Sequence, residues 1–406
     1  MHRRTIVPWL VCAGWLLLGC SDESKPAPTA PGASLDETAA ALGGTPGDPL
    51  PWVTADERAR FERGAQLFDV EFEDATGLGP LFNEVSCAEC HEAPARGGSG
   101  DEIEFHATAY NPDGSCNELT DLGGPVYQQF ATFSLQPLLH KLQVEREPVP
   151  SSSTMGLRTS SPLFGLGLLD AVPDAAILAL SDPYDRNGDG ISGRPNLTPD
   201  GRVGRFGRKA TISSLHAFND GAYRDEMGIT SPSVPSEGSV GGYPIPDHAD
   251  LVPDPEINQE VLDLTDAFVR LLAPVAPLEL TKEAKTGRNL FARLDCAGCH
   301  VPALKTGDNP VAALRYKEVA GYTDLLLHDL GPELADICRP GASAAEFRTQ
   351  PLMGLRLLSH FMHDGRAPTI SEAIGAHGGE ATTSRNRFNQ LSEEERAALL
   401  AFLRSL

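Results

Sequence analysis

The sequence contains two copies of the pattern Cys-x-x-Cys-His, at residues 87–91 and 296–300. This pattern is the attachment sequence of c-type haem, whose two vinyl groups form thioethers with two thiols three positions apart. The histidine that follows lies beneath the iron as its proximal ligand. A zinc site would need a second ligand pair and a thioredoxin-like pair a βαβ context, so neither explains the repeated histidine. We expect two covalently bound haem c groups, held by Cys87, Cys90 and His91 and by Cys296, Cys299 and His300.

The first residues have the features of a bacterial lipoprotein signal. Two arginines precede an apolar run over residues 6–18, which ends in Leu-Leu-Gly-Cys at Cys20. This ending resembles a lipobox, so we expect residues 1–19 to be a signal peptide and Cys20 to carry lipid. The alternative is a secretory signal without lipid. Ser21 favours the outer membrane of a Gram-negative cell, which predicts a periplasm-facing or cell-surface lipoprotein that touches the membrane only through its lipid.

Residues 20–50 are rich in proline, alanine and glycine and lack an apolar period, so we expect a flexible linker there. The formal net charge of the 406-residue chain is −23. Such a surface repels nucleic acid and suits a small basic redox protein as electron donor or acceptor. Of the eight cysteines, only Cys116 and Cys338 have no expected role. In an oxidising compartment they would form a disulfide, and two separate buried thiols are the alternative.

Helix signals dominate the remaining sequence. Capped or apolar-periodic segments predict helices over residues 54–67, 258–273, 281–294 and 392–406. No sustained strand alternation is present. We therefore expect a mainly α fold with two cytochrome c-like haem domains, long loops and few or short strands. The predicted domains are an N-terminal haem domain with insertions, residues 51–275, and a C-terminal cytochrome c domain, residues 276–406.

A short acidic segment matches the start of a calcium-binding loop. Asp185, Asn187 and Asp189 occupy alternate positions before Gly190, as in the pattern D-x-N-x-D-G. The twelfth position is Asn196 rather than glutamate, so a complete EF-hand is not expected. The alternatives are a bound Ca²⁺ and a plain Asx/Gly turn.

Several further segments carry a family resemblance: residues 77–91, 161–170, 185–196, 204–210, 226–230, 325–331 and 363–367, and the run to Glu380. With the two haem motifs, they make residues 52–406 resemble the di-haem oxidoreductases often labelled thiol oxidoreductases. That family is related to the bacterial di-haem cytochrome c peroxidases and to the methylamine-utilisation di-haem enzyme. The resemblance implies an oxidoreductase that moves electrons between two haems. Because both Cys-x-x-Cys pairs are used by haem, no dithiol active site is expected.

The resemblance also implies ligands for the C-terminal haem. In the related peroxidases a distal histidine lies fourteen residues after a histidine in a short turn, and here that histidine is His363. The position fourteen residues on is His377, which we expect to be the distal ligand of the haem at His300. A capping or core histidine is the alternative. Arg366 is expected to pair with a haem propionate.

At the N-terminal haem, the resemblance implies two further residues. His106 lies fifteen residues after His91, near the place where the peroxidases carry a removable distal histidine; an exposed loop histidine is the alternative. Glu226 aligns with the family's acidic residue and is the candidate acid/base for peroxide, against an ordinary surface carboxylate. The chain departs from the family at Arg208, where a tryptophan is usual, so an electron route through a bridging tryptophan is not expected.

These observations predict an exported di-haem c-type cytochrome oxidoreductase that is peroxidase-like at its N-terminal haem, with hydrogen peroxide as substrate. The alternative is a pure electron-transfer cytochrome in which both irons are six-coordinate. A sensor or structural lipoprotein that uses haem only for stability is a third hypothesis.

Overall fold

The computed structural model describes residues 34–406. The predicted signal peptide, Cys20 and the first part of the predicted linker lie outside the described residues. No helix of residues 34–406 combines the length and the apolar character that crossing a membrane would require.

Helices and loops make up most of the described chain. Its twelve α-helices, in chain order, are α1 Leu35–Leu42, α2 Ala55–Phe68, α3 Cys87–Cys90, α4 Gln136–Leu142, α5 Leu166–Asp170, α6 Asp174–Leu178, α7 Leu215–Met227, α8 Gln259–Leu271, α9 Lys282–Arg293, α10 Ile370–Ala376, α11 Thr382–Asn389 and α12 Glu393–Leu403.

The strands are mostly two or three residues long. They are β1 Leu81–Phe82, β2 Ile103–Tyr110, β3 Cys116–Asn117, β4 Val126–Tyr127, β5 Phe130–Ala131, β6 Thr154–Thr159, β7 Ser239–Val240, β8 Tyr243–Pro244, β9 Leu304–Lys305, β10 Glu318–Val319, β11 Leu327–Asp329 and β12 Glu346–Arg348. Only β2 and β6 are longer, and β2 pairs antiparallel with β3, β4 and β6. The prediction of a mainly α fold with long loops and few or short strands is confirmed.

The four helices predicted from sequence are present as α2, α8, α9 and α12. Their starts follow from local chemistry. At α2, Thr54 Oγ1 accepts the backbone N–H of Glu57, whose carboxylate accepts the N–H of Thr54. The same capping box of Ser392 and Glu395 begins α12. Because a cap needs only neighbouring residues, these elements could be read from the sequence.

These helices form two pairs with the same close contact. In the first pair, a Cβ added at Gly64 of α2 would lie 2.9 Å from Cβ of Phe268 on α8. In the second pair, a Cβ added at Gly287 of α9 would lie 2.9 Å from Cβ of Phe402 on α12. Ordinary contacts of Cβ atoms are 3.4 Å or longer. Each crossing is therefore close enough to require glycine.

The helix pairs also place an aromatic ring beside each haem-motif histidine. Phe68, four residues after Gly64, lies with its ring centroid 6.2 Å from that of His91. Phe291, four residues after Gly287, lies 6.4 Å from His300. The repetition of helix crossing, aromatic ring and histidine shows two cytochrome c-like units in one chain.

The beginning of the described chain differs from the expected linker. Ser34 caps α1, and Leu42 and Leu50 are 2% and 0% exposed. They pack in a hydrophobic cluster that includes Leu168. The structure therefore places residues 35–50 in the folded part. The leucines of this segment are too widely spaced to give an apolar period, which is why the sequence indicated a linker.

Cys116 and Cys338 form a disulfide, with their Cα atoms 5.7 Å apart. The sequence left open a disulfide or two separate buried thiols, and the structure contains the disulfide. The bond joins residues 222 positions apart, from β3 to a loop of the C-terminal unit. It therefore crosslinks the two halves of the chain.

Candidate haem sites

The first Cys-x-x-Cys-His motif forms one helical turn. Ser86 caps α3 by accepting the N–H of Glu89 at 3.3 Å, and Cys87 and Cys90 occupy the two ends of the turn. His91 follows directly and donates from Nδ1 to the Gly98 carbonyl at 3.0 Å. That bond fixes the ring and leaves Nε2 as the nitrogen that can bind iron. Burial lowers the pKa of His91, which favours the neutral, ligating form.

The second motif repeats this arrangement. Residues Cys296–Gly298 form a single 3₁₀ turn. His300 donates from Nδ1 to the Tyr322 carbonyl at 2.9 Å, which again leaves Nε2 as the ligating nitrogen. Burial, and then the charge of His377, lowers the pKa of His300 to about 4. The imidazole is therefore neutral at physiological pH.

The structure brings His377 to the second motif. This residue ends α10, and its Nδ1 donates to the Ala373 carbonyl at 2.7 Å. Burial lowers its pKa as well. His377 and His300 thus interact, and each holds its Nδ1 on a backbone carbonyl and keeps Nε2 for a metal. Two neutral imidazoles of this kind are the donor set of a bis-histidine haem iron.

Apolar side chains surround both motifs, as a porphyrin requires. Those packed with Cys296 and Ala297 include Leu355, Leu358, Phe361, Ile370 and Ile374. Those packed with Cys87 and Ala88 include Phe61, Phe68, Leu163, Phe206 and Phe218. The four motif cysteines form no disulfide. The residues present therefore fit a haem at each motif.

The motif cysteines do not resemble reactive thiolates. Burial raises the pKa of both Cys87 and Cys296 to about 12. Thiol–disulfide exchange needs a thiolate, and buried apolar surroundings suppress it.

Glu226 lies beside the first motif, whereas the alternative placed it on the surface. It is near the end of α7, and its carboxylate accepts a hydrogen bond from Asn83 Nδ2 at 2.8 Å. The backbone carbonyl of Glu226 accepts the N–H of Asn83 at 2.6 Å. Asn83 lies four residues before Cys87. Burial, and then the charge of Glu104, raises the pKa of Glu226 well above its usual value. This shift favours the protonated form of Glu226.

His106 lies in strand β2, whereas the alternative was an exposed loop. Glu104 and His106 share one face of the strand, and His106 Nε2 lies 3.0 Å from Glu104 Oε2. Its Nδ1 is buried and has no hydrogen-bond partner within residues 34–406. Burial acts to raise the pKa of Glu104, but the hydrogen bond and charge of His106, together with the charge of His91, lower it. Nδ1 is thus the nitrogen of His106 that could reach an iron.

Glu104 was not identified from the sequence. No strand is predicted here from the sequence, although residues 103–108 alternate apolar and polar side chains. That alternation was the available signal for a strand with Glu104 and His106 on the same face.

The hydrogen bonds of the remaining predicted residues go to residues other than the motif histidines. Arg366 is half exposed, and its Nε donates to Asp364 Oδ2 at 2.6 Å. In the calcium-like segment, Asp185 Oδ1 accepts the N–H of Gly190 at 3.1 Å and Asp189 Oδ1 that of Ile191 at 2.8 Å. Asn187 Oδ1 accepts the N–H of Asp189 at 3.0 Å. These are the bonds of an Asx turn, and calcium binding there stays a prediction.

A separate group of carboxylates has ligand atoms within 4.8 Å of one another; it consists of Glu237, Asp250, Asp254 and Glu256. Burial, and then the charges of the other three, raises the pKa of Glu237 to about 8. No sequence pattern predicts this group, because its members are spread over twenty residues without a motif.

Comparison with known proteins gives one family match. The family described as "Di-haem oxidoreductase, putative peroxidase" matches residues 143–406, a range that contains the second haem motif. No curated protein matches the chain.

Solved structures give more distant similarities. The chain is similar to the hydrazine synthase of Kuenenia stuttgartiensis, at 14% identity over 100% of both chains and a TM-score of 0.41. It is similar to a MauG-like protein associated with microbial copper homeostasis, at 16% identity over 90% of this chain and 93% of that one, with a TM-score of 0.38. The diheme peroxidase BthA of Burkholderia thailandensis has 17% identity over 89% and 87% of the chains and a TM-score of 0.39.

The family match covers more than half of the chain and agrees with two motif histidines that lie among apolar side chains. The chain therefore belongs to the di-haem oxidoreductase family, and it is a haem enzyme of the peroxidase-like oxidoreductase type.

Proposed function

We propose that this protein is an exported di-haem c-type cytochrome that reduces hydrogen peroxide at its N-terminal haem with electrons received through its C-terminal haem. Cys87 and Cys90 would hold the first haem covalently, and Cys296 and Cys299 the second. The haems supply the iron-centred redox chemistry. The protein supplies the ligands, the proton and the separation of the two roles.

The observation that carries this proposal is the difference between the two sites. His377 accompanies His300, whereas Glu226, whose pKa burial raises well above its usual value, lies beside the first motif. An iron with two imidazole ligands has no position for a substrate and suits electron storage. A carboxylic acid beside the other motif suits chemistry that consumes protons. This asymmetry supports the proposal that electrons enter at the second site and that peroxide is reduced at the first.

Glu226 can supply the proton that this reaction needs. Reduction of hydrogen peroxide consumes two electrons and two protons, breaks the O–O bond and releases two waters. Burial raises the pKa of Glu226 well above its usual value, which favours the protonated form, and Asn83 Nδ2 orients its carboxyl group by a hydrogen bond at 2.8 Å. In this proposal Glu226 passes its proton to the departing oxygen and is reprotonated from solvent. The neighbouring negative charge of Glu104 favours the reprotonated form.

The second candidate function is electron transfer alone. The buried, unpartnered Nδ1 of His106 favours it, because a ligand from this residue would close the first iron to peroxide. His106 Nε2 donates to the Glu104 carboxylate at 3.0 Å, and this bond holds the His106 ring. A ligating His106 would make both sites six-coordinate and leave Glu226 without a role in turnover.

The proposed location and partner rest on the chain's covalent and electrostatic features. A disulfide between Cys116 and Cys338 fits an oxidising compartment, in agreement with export. Lipid on Cys20 would anchor the protein in the outer membrane, facing the periplasm or the cell surface. A net charge of −23 favours a small basic redox protein as electron donor. Calcium bound by Asp185, Asn187 and Asp189 belongs to the same proposal.

The test is peroxide-dependent oxidation of a reduced small cytochrome by the purified, haem-loaded protein. We expect turnover in the wild type and a loss of about 100-fold or more in kcat for Glu226→Gln, which cannot donate a carboxyl proton. Glu237→Gln is the matched control, because burial also raises the pKa of Glu237, to about 8, and its carboxylate belongs to a separate group. Wild-type turnover in Glu226→Gln would contradict the role of Glu226. No turnover in the wild type, with both haems present, would favour electron transfer alone.

A further inference from the structure

Two half-buried arginine side chains lie side by side. Arg348 ends β12, and its backbone N–H donates to the Arg208 carbonyl at 2.8 Å. Their side chains converge on Gln350: Arg208 Nη1 and Arg348 Nη2 each donate to Gln350 Oε1, both at 3.1 Å. Two positive groups thus share one neutral oxygen, and we call this set the Arg208–Gln350–Arg348 cluster.

The other hydrogen bonds of the two guanidinium groups also go to neutral oxygens. Arg208 Nη2 donates to the Thr159 carbonyl at 3.0 Å. Arg348 donates from Nε to the Gly207 carbonyl at 3.1 Å and from Nη1 to the Thr349 carbonyl at 3.2 Å. Each guanidinium carries five N–H groups, so both retain donors for a further acceptor.

The carboxylates around the cluster already have other partners. Glu104 and Asp364 act on Arg208, and Asp324 acts on Arg348. Glu104 is bonded to His106, Asp364 to Arg366 and Asp324 to His328. Burial lowers the pKa of Arg208 to about 10 and that of Arg348 to about 9, so the environment disfavours both charges. Two positive charges in these surroundings would be stabilised by a bound anion, and the carboxylates among the described residues are bonded elsewhere.

The cluster lies between the two haem motifs. On one side, Arg208 bonds to Thr159, which pairs with Ile103 in the β2–β6 ladder, next to Glu104. Glu104 in turn interacts with His91.

On the other side, the Thr349 carbonyl that accepts from Arg348 also accepts Thr323 Oγ1 at 2.7 Å. Thr323 follows Tyr322, whose carbonyl holds His300. One guanidinium therefore belongs to the surroundings of each motif.

We propose that the Arg208–Gln350–Arg348 cluster anchors haem propionates, with Arg208 holding one from the haem at His91 and Arg348 one from the haem at His300. A propionate is a carboxylate, which a guanidinium binds through two parallel N–H···O bonds. The cluster would neutralise both propionates and bring the carboxylate edges of the two haems to one point. This inference rests on the covalent haem attachment in the proposed function and not on peroxide reduction.

The proposal gives Arg208 and Arg348 the role that the sequence assigned to Arg366. Arg366 is half exposed and pairs with Asp364, so it already has an anion. The two assignments differ in a measurable way, because only a cation beside a propionate changes the potential of that haem strongly.

The experiment is a spectroelectrochemical titration of both haems in Arg208→Gln, Arg348→Gln, Arg366→Gln and the charge-matched control Arg63→Gln, whose side chain is 59% exposed. Removal of a cation beside a propionate leaves negative charge that stabilises the ferric state, so the midpoint potential should fall. We expect the His91 haem to shift in Arg208→Gln and the His300 haem in Arg348→Gln. Arg366→Gln and Arg63→Gln should leave both potentials at their wild-type values. Potentials unchanged in both cluster variants, or a shift in Arg366→Gln alone, would overturn the proposal.

A second measurement keeps the proposal testable if the glutamine variants do not fold. Arg208→Lys and Arg348→Lys retain the charge but lose the forked donor. The resonance Raman propionate-bending band of one haem should then shift in each, and unchanged bands would overturn the proposal. A haem stain after denaturing electrophoresis checks attachment separately. Two bound haems with shifted potentials and no peroxidase activity would refute peroxide reduction and leave the propionate anchor standing.

Discussion

Replacement of Gly287 by alanine tests the helix crossing that positions the C-terminal haem motif. The added Cβ would lie 2.9 Å from Cβ of Phe402 and closer still to the carbonyl oxygen of Ala398, against 3.4 Å or more in ordinary contacts. Backbone cannot yield as a flexible side chain does, so α9 and α12 must separate. Overpacking of this kind costs about 1–3 kcal/mol, and separation of two helices belongs at the upper end. The better helix propensity of alanine offsets this cost by about 1 kcal/mol.

The net expectation for Gly287→Ala is a loss of about 2 kcal/mol. The chain has 406 residues, and with an unfolding entropy of about 2.1 cal/mol/K per residue the unfolding midpoint should fall by about 2–3 °C. The measurement is thermal unfolding of the haem-loaded protein, followed by far-ultraviolet circular dichroism and by the Soret band.

Gly221→Ala in α7 is the matched control, because the nearest atom to its added Cβ is Asp225 Oδ2 at 4.0 Å. Without a steric cost, this change should stabilise the protein by up to about 1 kcal/mol. A midpoint for Gly287→Ala at or above that of the wild type would refute the close crossing.

Three further predictions follow from single sites. His377→Ala should convert the C-terminal haem from low to high spin and raise its potential, and an unchanged low-spin spectrum would mean that another residue is the ligand. Cys338→Ser opens a loop of 222 residues and should cost about 4–5 kcal/mol in denaturant unfolding; an unchanged midpoint would show that the disulfide adds nothing to stability. Burial raises the pKa of Glu147 to about 8, so the folded protein keeps a proton that the unfolded chain releases above a pH of about 4. Its contribution to stability should be complete below that pH and lost as the pH rises to about 8. Glu147→Gln should flatten this slope, and the same slope in both proteins would contradict the assignment.

The features that the sequence predicted correctly depend on neighbouring residues. Thr54 and Glu57 specify the start of α2 within one turn, and Ser392 and Glu395 specify the start of α12 in the same way. The α2–α8 and α9–α12 crossings depend on Gly64 and Gly287, but glycine in a helix does not by itself name the helix that it meets. Features that depend on a short stretch of sequence could therefore be predicted, whereas the helix that each glycine packs against could not.

The features that were missed depend on contacts between distant residues. Cys116 and Cys338 lie 222 positions apart, so the sequence could not decide between a disulfide and two thiols. Arg208 and Arg348 are brought together by β12, a strand of three residues that has no readable period. Local patterns could not reveal a pairing that only the folded chain creates.

The central claim is that the two haems have different coordination, with His300 and His377 closing one iron and the His91 iron open beside Glu226. The most direct test is low-temperature EPR of the purified, haem-loaded protein, as isolated and after half-reduction, followed by addition of peroxide. We predict a low-spin signal from the haem at His300 and a high-spin signal that peroxide abolishes, with turnover of a reduced donor. Two low-spin signals that do not respond to peroxide in either state would contradict the claim and make the protein an electron carrier, with His106 as sixth ligand of the first haem.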